Sequence, residues 1–122
     1  MSKMSLPPHR SKQWKDWERE VARDLGGKRT GPRGFDVPDV IDLPRDFAPE
    51  CKYQKRLSLK DADLKQADHN ARGKEWSLFL REARTGRRFV VVPYKTFLKM
   101  WDAYTKENRY IVTGKQIGRA HV

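Results

Sequence analysis

The hydrophobic period of this chain switches between helix and strand along its length, which restricts it to a mixed α/β architecture. From Gln13 to Leu25 the apolar residues Trp14, Trp17, Val21, Ala22 and Leu25 recur at helical spacing, and Gly26-Gly27 supplies the stop. Two strand-like runs follow, Phe35 to Ile41 and Phe47 to Tyr53, with Pro44-Arg45-Asp46 as the turn of a hairpin. Ser58 is placed to cap a helix over 60–72, whose Leu64, Ala67 and Ala71 form a thin apolar stripe ahead of Gly73. Trp76, Leu78 and Leu80 then alternate with Ser77 and Phe79, Thr85-Gly86 turns the chain, and Phe89-Val90-Val91-Val92 reads as the most buried strand. A last helix over 94–104 carries Phe97, Leu98, Trp101 and Tyr104. That stripe is expected in the core, a dimer surface being its other use.

The chain has 122 residues, enough for one domain with a modest core, expected over 13–115. Residues 1–12, with Pro7-Pro8, read as a flexible basic arm. No run of about twenty apolar residues exists to span a membrane, and no secretory segment is evident. The single cysteine, Cys51, cannot form an internal disulfide, which suits a reducing cytoplasm. His9, His69 and His121 lack zinc-ligand spacing, and there is no Gly-rich phosphate loop or sign of an organic cofactor.

Two short acidic signals sit on the strand-like runs. Asp39 precedes Val40-Ile41, and in Glu50-Cys51-Lys52 the alternation puts Glu50 and Lys52 on one face and Cys51 on the other. An aspartate and a glutamate on adjacent strands can share one Mg²⁺, a cation that takes oxygen ligands, with Mn²⁺ as a substitute. The backbone carbonyl of Cys51 is a third candidate ligand, and Lys52 can orient an attacking water or steady a developing oxyanion. Cys51 itself, facing the other way, reads as a core thiol and not as a nucleophile. Without a metal, Glu50 and Lys52 would be a same-face surface ion pair of little energetic weight. On the first helix Glu18 lies one turn from Trp14 and Ala22, at the edge of the apolar stripe, with Glu20 as the alternative acid; either can be aimed over the hairpin.

Charge points to a nucleic-acid partner. Lys and Arg number 27 against 16 Asp and Glu, a formal net charge of +11, which attracts a phosphate backbone strongly at low salt. The cations are spread over Lys28-Arg29 with Arg33, over Lys52 to Arg56, and over Arg84 to Arg88, as suits a protein that surrounds its substrate. A basic DNA-binding protein without catalysis would carry the same charge.

Taken in order, the helix with Glu18-Arg19-Glu20, the basic loop Lys28 to Gly34, Pro38-Asp39 and Glu50-Cys51-Lys52 resemble the PD-(D/E)XK nuclease superfamily. Within it the order and spacing are most similar to the Holliday junction resolvases of archaea and some phages, over about Trp14 to Pro93. The resemblance implies a restriction-endonuclease-like core, a small mixed sheet of about four strands flanked by helices. It also implies a metal-dependent endonuclease acting on branched DNA in recombination or repair, in a prokaryotic or phage-infected cell. Glu18, Asp39, Glu50 and Lys52 match the family's active-site positions, and Gln66 matches a supporting polar residue on the following helix. Thr30 stands where resolvases carry a serine near the scissile phosphate. Lys28, Arg29, Thr30, Arg33, Lys55 and Arg56 are the expected backbone contacts. Symmetric cutting of a four-way junction needs two active sites, hence a homodimer. A nicking, repair or restriction-like nuclease would share the same metal site.

The end of the chain reads differently. Ile117-Gly118-Arg119-Ala120-His121-Val122 matches what translating a common sequencing adapter gives, so residues 116–122 are expected to be a non-native tail.

Overall fold

The computed structural model describes residues 8–31, 37–43 and 46–115, with side chains over 13–31, 37–43 and 46–107. Residues 1–7 of the expected arm, Arg33, part of the expected turn at 44–45 and the tail 116–122 lie outside the described residues. The chain divides into two compact units, one reaching to Val91 and one beginning at Val92.

The first unit opens with helix α1, Pro8–Leu25. It starts five residues earlier than the periodicity suggests, because Pro8 at the first helical position has no N–H to leave unpaired and a φ already suited to the helix. Trp17, Val21 and Ala22 are buried on its inner stripe, each large side chain contributing about 1.5–3 kcal/mol. Trp14, expected in the same stripe, is instead 42% exposed. The C-terminal stop is a Schellman pair: Gly27 N–H donates to Ala22 C=O (2.9 Å) and Gly26 N–H to Arg23 C=O (3.2 Å), with Gly26 at φ 76. A Cβ on Gly27 would meet Leu43 Cδ2 at 2.6 Å and Ile41 O at 2.7 Å, so only glycine admits the strands this close to the helix end.

Strands β1 (Lys28–Arg29) and β2 (Val40–Ile41) pair antiparallel, Arg29 opposite Val40. They form a two-stranded sheet of their own. The expected hairpin between the Asp39 and Glu50 segments is therefore replaced: strand β3 (Phe47–Gln54) pairs in parallel with β4 (Glu75–Glu82), Glu50 opposite Leu78 and Cys51 opposite Phe79. Helix α2 (Asp61–Ala71) makes the crossover that a parallel pair requires. Its N-cap is Lys60, without a side-chain bond. Ser58, the expected cap, is held by Gln54 instead: its N–H donates to Gln54 Oε1 at 3.1 Å and its C=O accepts from Gln54 Nε2 at 3.0 Å.

Strand β5 (Arg88–Val91) pairs antiparallel with β4 through the turn ending at Gly86, giving a three-stranded sheet in the order β3-β4-β5. The architecture is thus mixed α/β, with three plus two strands where about four in one sheet were expected. Leu78 and Leu80 of the central β4 are buried, whereas Phe89 and Val90 of β5, expected as the most buried strand, are exposed. An edge strand carries neighbours on one side only, so its apolar content does not by itself bury it. The Cys51 face of the sheet packs on α1 in a core of Trp17, Val21, Ala22, Val40 and Cys51. The small residues Ala67 and Ala71 of α2, both buried, leave room for the opposite face.

The second unit is helix α3, Tyr94–Lys115. Phe97 and Trp101 stack at 6.3 Å, and Trp101 and Tyr104 approach at 5.8 Å. The stripe expected in the core is exposed, with Trp101 at 51%. Among the described residues no helix is long and apolar enough to cross a membrane.

Candidate active site

Strand β3 has one paired edge, toward β4, and its other edge faces the segment leading into β2. Asp39 stands there and binds β3 twice. Its N–H donates to Pro49 C=O (2.9 Å), and its Oδ2 accepts the Cys51 N–H (2.7 Å). A strand residue's N–H and C=O point to the same edge, so the Cys51 carbonyl is directed to the side on which Asp39 sits. Thr30 locks the segment from the other flank: its N–H donates to Asp39 C=O (2.9 Å) and its hydroxyl to Pro38 C=O. That hydroxyl thus donates its one proton to the loop, and Thr30 is not among the residues lining the cleft described next.

Around this edge lies a cleft of about 480 Å³. Glu18, Asp39, Glu50, Cys51, Lys52 and Gln66 all line it, so the residues expected at one site from four separate segments do come together. Glu18 descends from α1, where it is 3% exposed, and its Oε1 accepts from Arg29 Nε at 2.7 Å. Glu20, the alternative acid, lies elsewhere: its carboxylate pairs with Arg88 (2.7 Å) and Arg81 (3.3 Å). Glu18 is the helix acid of the cleft.

Glu50 and Lys52 share a face of β3, as the alternation requires, and that face meets one side of α2. Asn70 Nδ2 donates to Glu50 Oε1 at 3.3 Å, and Lys52 Nζ donates to Gln66 Oε1 at 2.8 Å. Asp63 Oδ1 lies 3.9 Å from the same ammonium. Asp63, Gln66 and Asn70 recur at helical spacing, so one polar stripe of α2 holds both side chains of the Glu50-Lys52 pair. Asn70 was not expected from the sequence; its place four residues after Gln66 is the signal that points to it.

Electrostatics mark the three carboxylates. Burial, then the nearby Asp39 charge, pushes the Glu50 carboxyl up to about 7. The same two causes raise Glu18, opposed by the Arg29 hydrogen bond, and burial raises Asp39, opposed by the Cys51 amide. The Asp39 charge thus disfavours ionisation of both glutamates, and Arg29 and Lys52 offset part of that cost. Burial also drives the Cys51 thiol far above its ordinary value, which leaves it protonated and inert.

The donor set is made of carboxylate and carbonyl oxygens, with no thiolate or imidazole, and it fits a hard divalent ion such as Mg²⁺ or Mn²⁺. Among the described residues no three His, Cys, Asp or Glu side chains converge closely enough to enclose an ion as they stand, since Glu18 is turned to Arg29 and Asp39 to the Cys51 amide.

Among the described residues expected to contact a phosphate backbone, Arg29 lines the cleft, while Lys28, Lys55 and Arg56 are exposed outside its lining. Two further cations of α1, Lys15 and Arg19, line it as well. Comparison of the chain with protein-family models, with curated proteins and with solved structures finds no match to any of them.

Proposed function

We propose that the protein is a metal-dependent endonuclease that hydrolyses phosphodiester bonds of DNA, with a restriction-endonuclease-like active site of the PD-(D/E)XK type. One observation carries the reading: Glu18, Asp39, Glu50 and Lys52, drawn from α1, the β2 entry and β3, line one cleft in a chain of net charge +11. Asp39, Glu50 and the Cys51 carbonyl would hold the cation, with Glu18 joining them directly or through water. Bound there, Mg²⁺ supplies a Lewis acid for the phosphate and a lower pKa for the attacking water.

The remaining work falls to the chain. Lys52, fixed by Gln66 and facing the same way as Glu50, orients the attacking water and balances charge growing on the phosphate oxygens. Gln66 and Asn70 are positioning residues, one for the lysine and one for the glutamate. Arg29 offers a guanidinium to a phosphate oxygen once Glu18 turns away from it. Exposed Lys28, Lys55 and Arg56 add affinity without reading sequence.

The finer reading is a Holliday junction resolvase, acting as a two-fold dimer on branched DNA. A labelled four-way junction beside the matching linear duplex tests it, with Mg²⁺ or chelator. Paired symmetric nicks in the junction alone would support a resolvase. Equal cutting of both DNAs would leave the nuclease and remove the junction preference.

A basic DNA-binding protein without catalysis is the second reading. It is favoured by the Glu18–Arg29 pair and by the absence, among the described residues, of a closed set of ligating side chains. Binding of both DNAs with no cutting in Mg²⁺ or Mn²⁺ would select it.

A further inference from the structure

Trp14 is the aromatic residue of the cleft lining, and hydrolysis leaves it without a task. It lines the cleft beside the acids, one helical turn before Glu18, yet it is 42% exposed, whereas Trp17 of the same helix is buried and donates its indole N–H to Phe79 C=O. Lys15 and Arg19, one turn apart on α1, line the same wall. A half-exposed indole in the lining of a cleft that also holds cations and carboxylates matches the two halves of a nucleotide, a flat base to stack and a phosphate to neutralise. The size agrees, since about 480 Å³ lies in the range that accommodates a ligand of drug-like size.

We propose that Trp14 stacks on an unpaired base next to the scissile phosphate, so that the substrate class of the cleft is DNA whose pairing is interrupted at the cut: a fork, a flap or a frayed branch point. The proposal rests on the cleft's reading as a nuclease site and narrows it. A fully paired duplex keeps every base face covered by its neighbours and offers Trp14 nothing to stack on. Sequence preference is not expected, because every base presents a π face.

The test measures binding of a fluorescein-labelled forked DNA and of a blunt duplex of equal length, in EDTA, by the wild-type chain and by Trp14→Ala and Trp14→Phe. Trp14→Ala is expected to weaken binding to the fork about tenfold and to the duplex less than about twofold, with Trp14→Phe restoring most of the loss. An equal loss on both DNAs, or no loss on either, would overturn the proposal. The phenylalanine variant separates stacking from a folding defect, because it keeps a ring at the site. Cleavage in Mg²⁺ is measured separately on the same two DNAs. If the wild type cuts neither, the nuclease reading fails, while the binding ratio in EDTA still decides the role of Trp14.

Discussion

The Cys51 amide donates to the Asp39 carboxylate across 2.7 Å, the side-chain member of the two bonds by which Asp39 joins the β2 entry to the unpaired edge of β3. Asp39 is thereby a structural strut as well as a candidate metal ligand. Asp39→Asn keeps an acceptor for that amide and is expected to fold with nearly full stability while losing divalent-ion binding. Asp39→Ala leaves the amide unpaired and should lower stability by about 1–3 kcal/mol in urea denaturation. Equal stability of the two variants would show that the bond contributes nothing.

Glu50 makes stability fall with rising pH. Its carboxyl is raised from 4.5 to about 7 in the fold, so the folded state holds a proton that the unfolded chain has released. The associated stability is complete below about 4.5 and is lost as pH climbs through about 7, on the order of 3 kcal/mol in all. Glu18 and Asp39 are raised too and add in the same direction. Glu50→Gln, which keeps the acceptor for Asn70, should flatten this dependence and be more stable than wild type at pH 8. Urea midpoints at pH 5 and pH 8 for both proteins check it; parallel pH profiles would contradict the account.

Divalent ions should reverse that penalty. Mg²⁺ at a hundredfold excess over its dissociation constant is expected to stabilise the chain by about 2.7 kcal/mol, more visibly at pH 8 than at pH 5, because Glu50 loses its proton in between. The thermal shift is expected to vanish in Glu50→Gln. A shift of equal size in that variant would place the ion elsewhere.

Arg29 restrains Glu18, whose side chain is 4% exposed. Arg29→Ala strands a buried carboxylate and should cost on the order of 3 kcal/mol at pH 8, and less as pH falls, because burial already favours the protonated form of Glu18. Adding Mg²⁺ should recover part of the loss, because Glu18 then finds a second cation. Chemical denaturation with and without the ion measures both effects.

Lys52 and Gln66 separate chemistry from positioning. Lys52→Met should lower the cleavage rate by at least about a hundredfold with little change in DNA affinity, and Gln66→Ala by about tenfold, in kcat more than in KM. A Gln66 variant as slow as the lysine variant would assign the glutamine a direct part.

The placement of the cleft residues was more legible than the fold. Period-two alternation alone puts Glu50 and Lys52 on one face with Cys51 behind, and helical period alone puts Glu18 at the edge of the α1 stripe. Strand partners carry no such local signal. The pairing of β3 with β4 rather than with the Asp39 segment depends on contacts far apart in sequence, although strand, helix, strand in succession is the order a parallel crossover produces. Burial was equally hidden: Phe89-Val90 and the α3 aromatics have core-like composition, but exposure is decided by whether another layer covers them. Glu20 and Glu18 look alike in the sequence, and only the placement of Arg81 and Arg88 draws Glu20 away.

The most direct test of the central claim is single-turnover cleavage of end-labelled forked and four-way-junction DNA by wild type and Glu50→Gln, with Mg²⁺ and with EDTA. The account predicts discrete phosphodiester cuts that need both Mg²⁺ and Glu50, with DNA binding retained by the variant. Cutting that survives EDTA or the Glu50→Gln change, or no cutting by wild type in either Mg²⁺ or Mn²⁺, would contradict it.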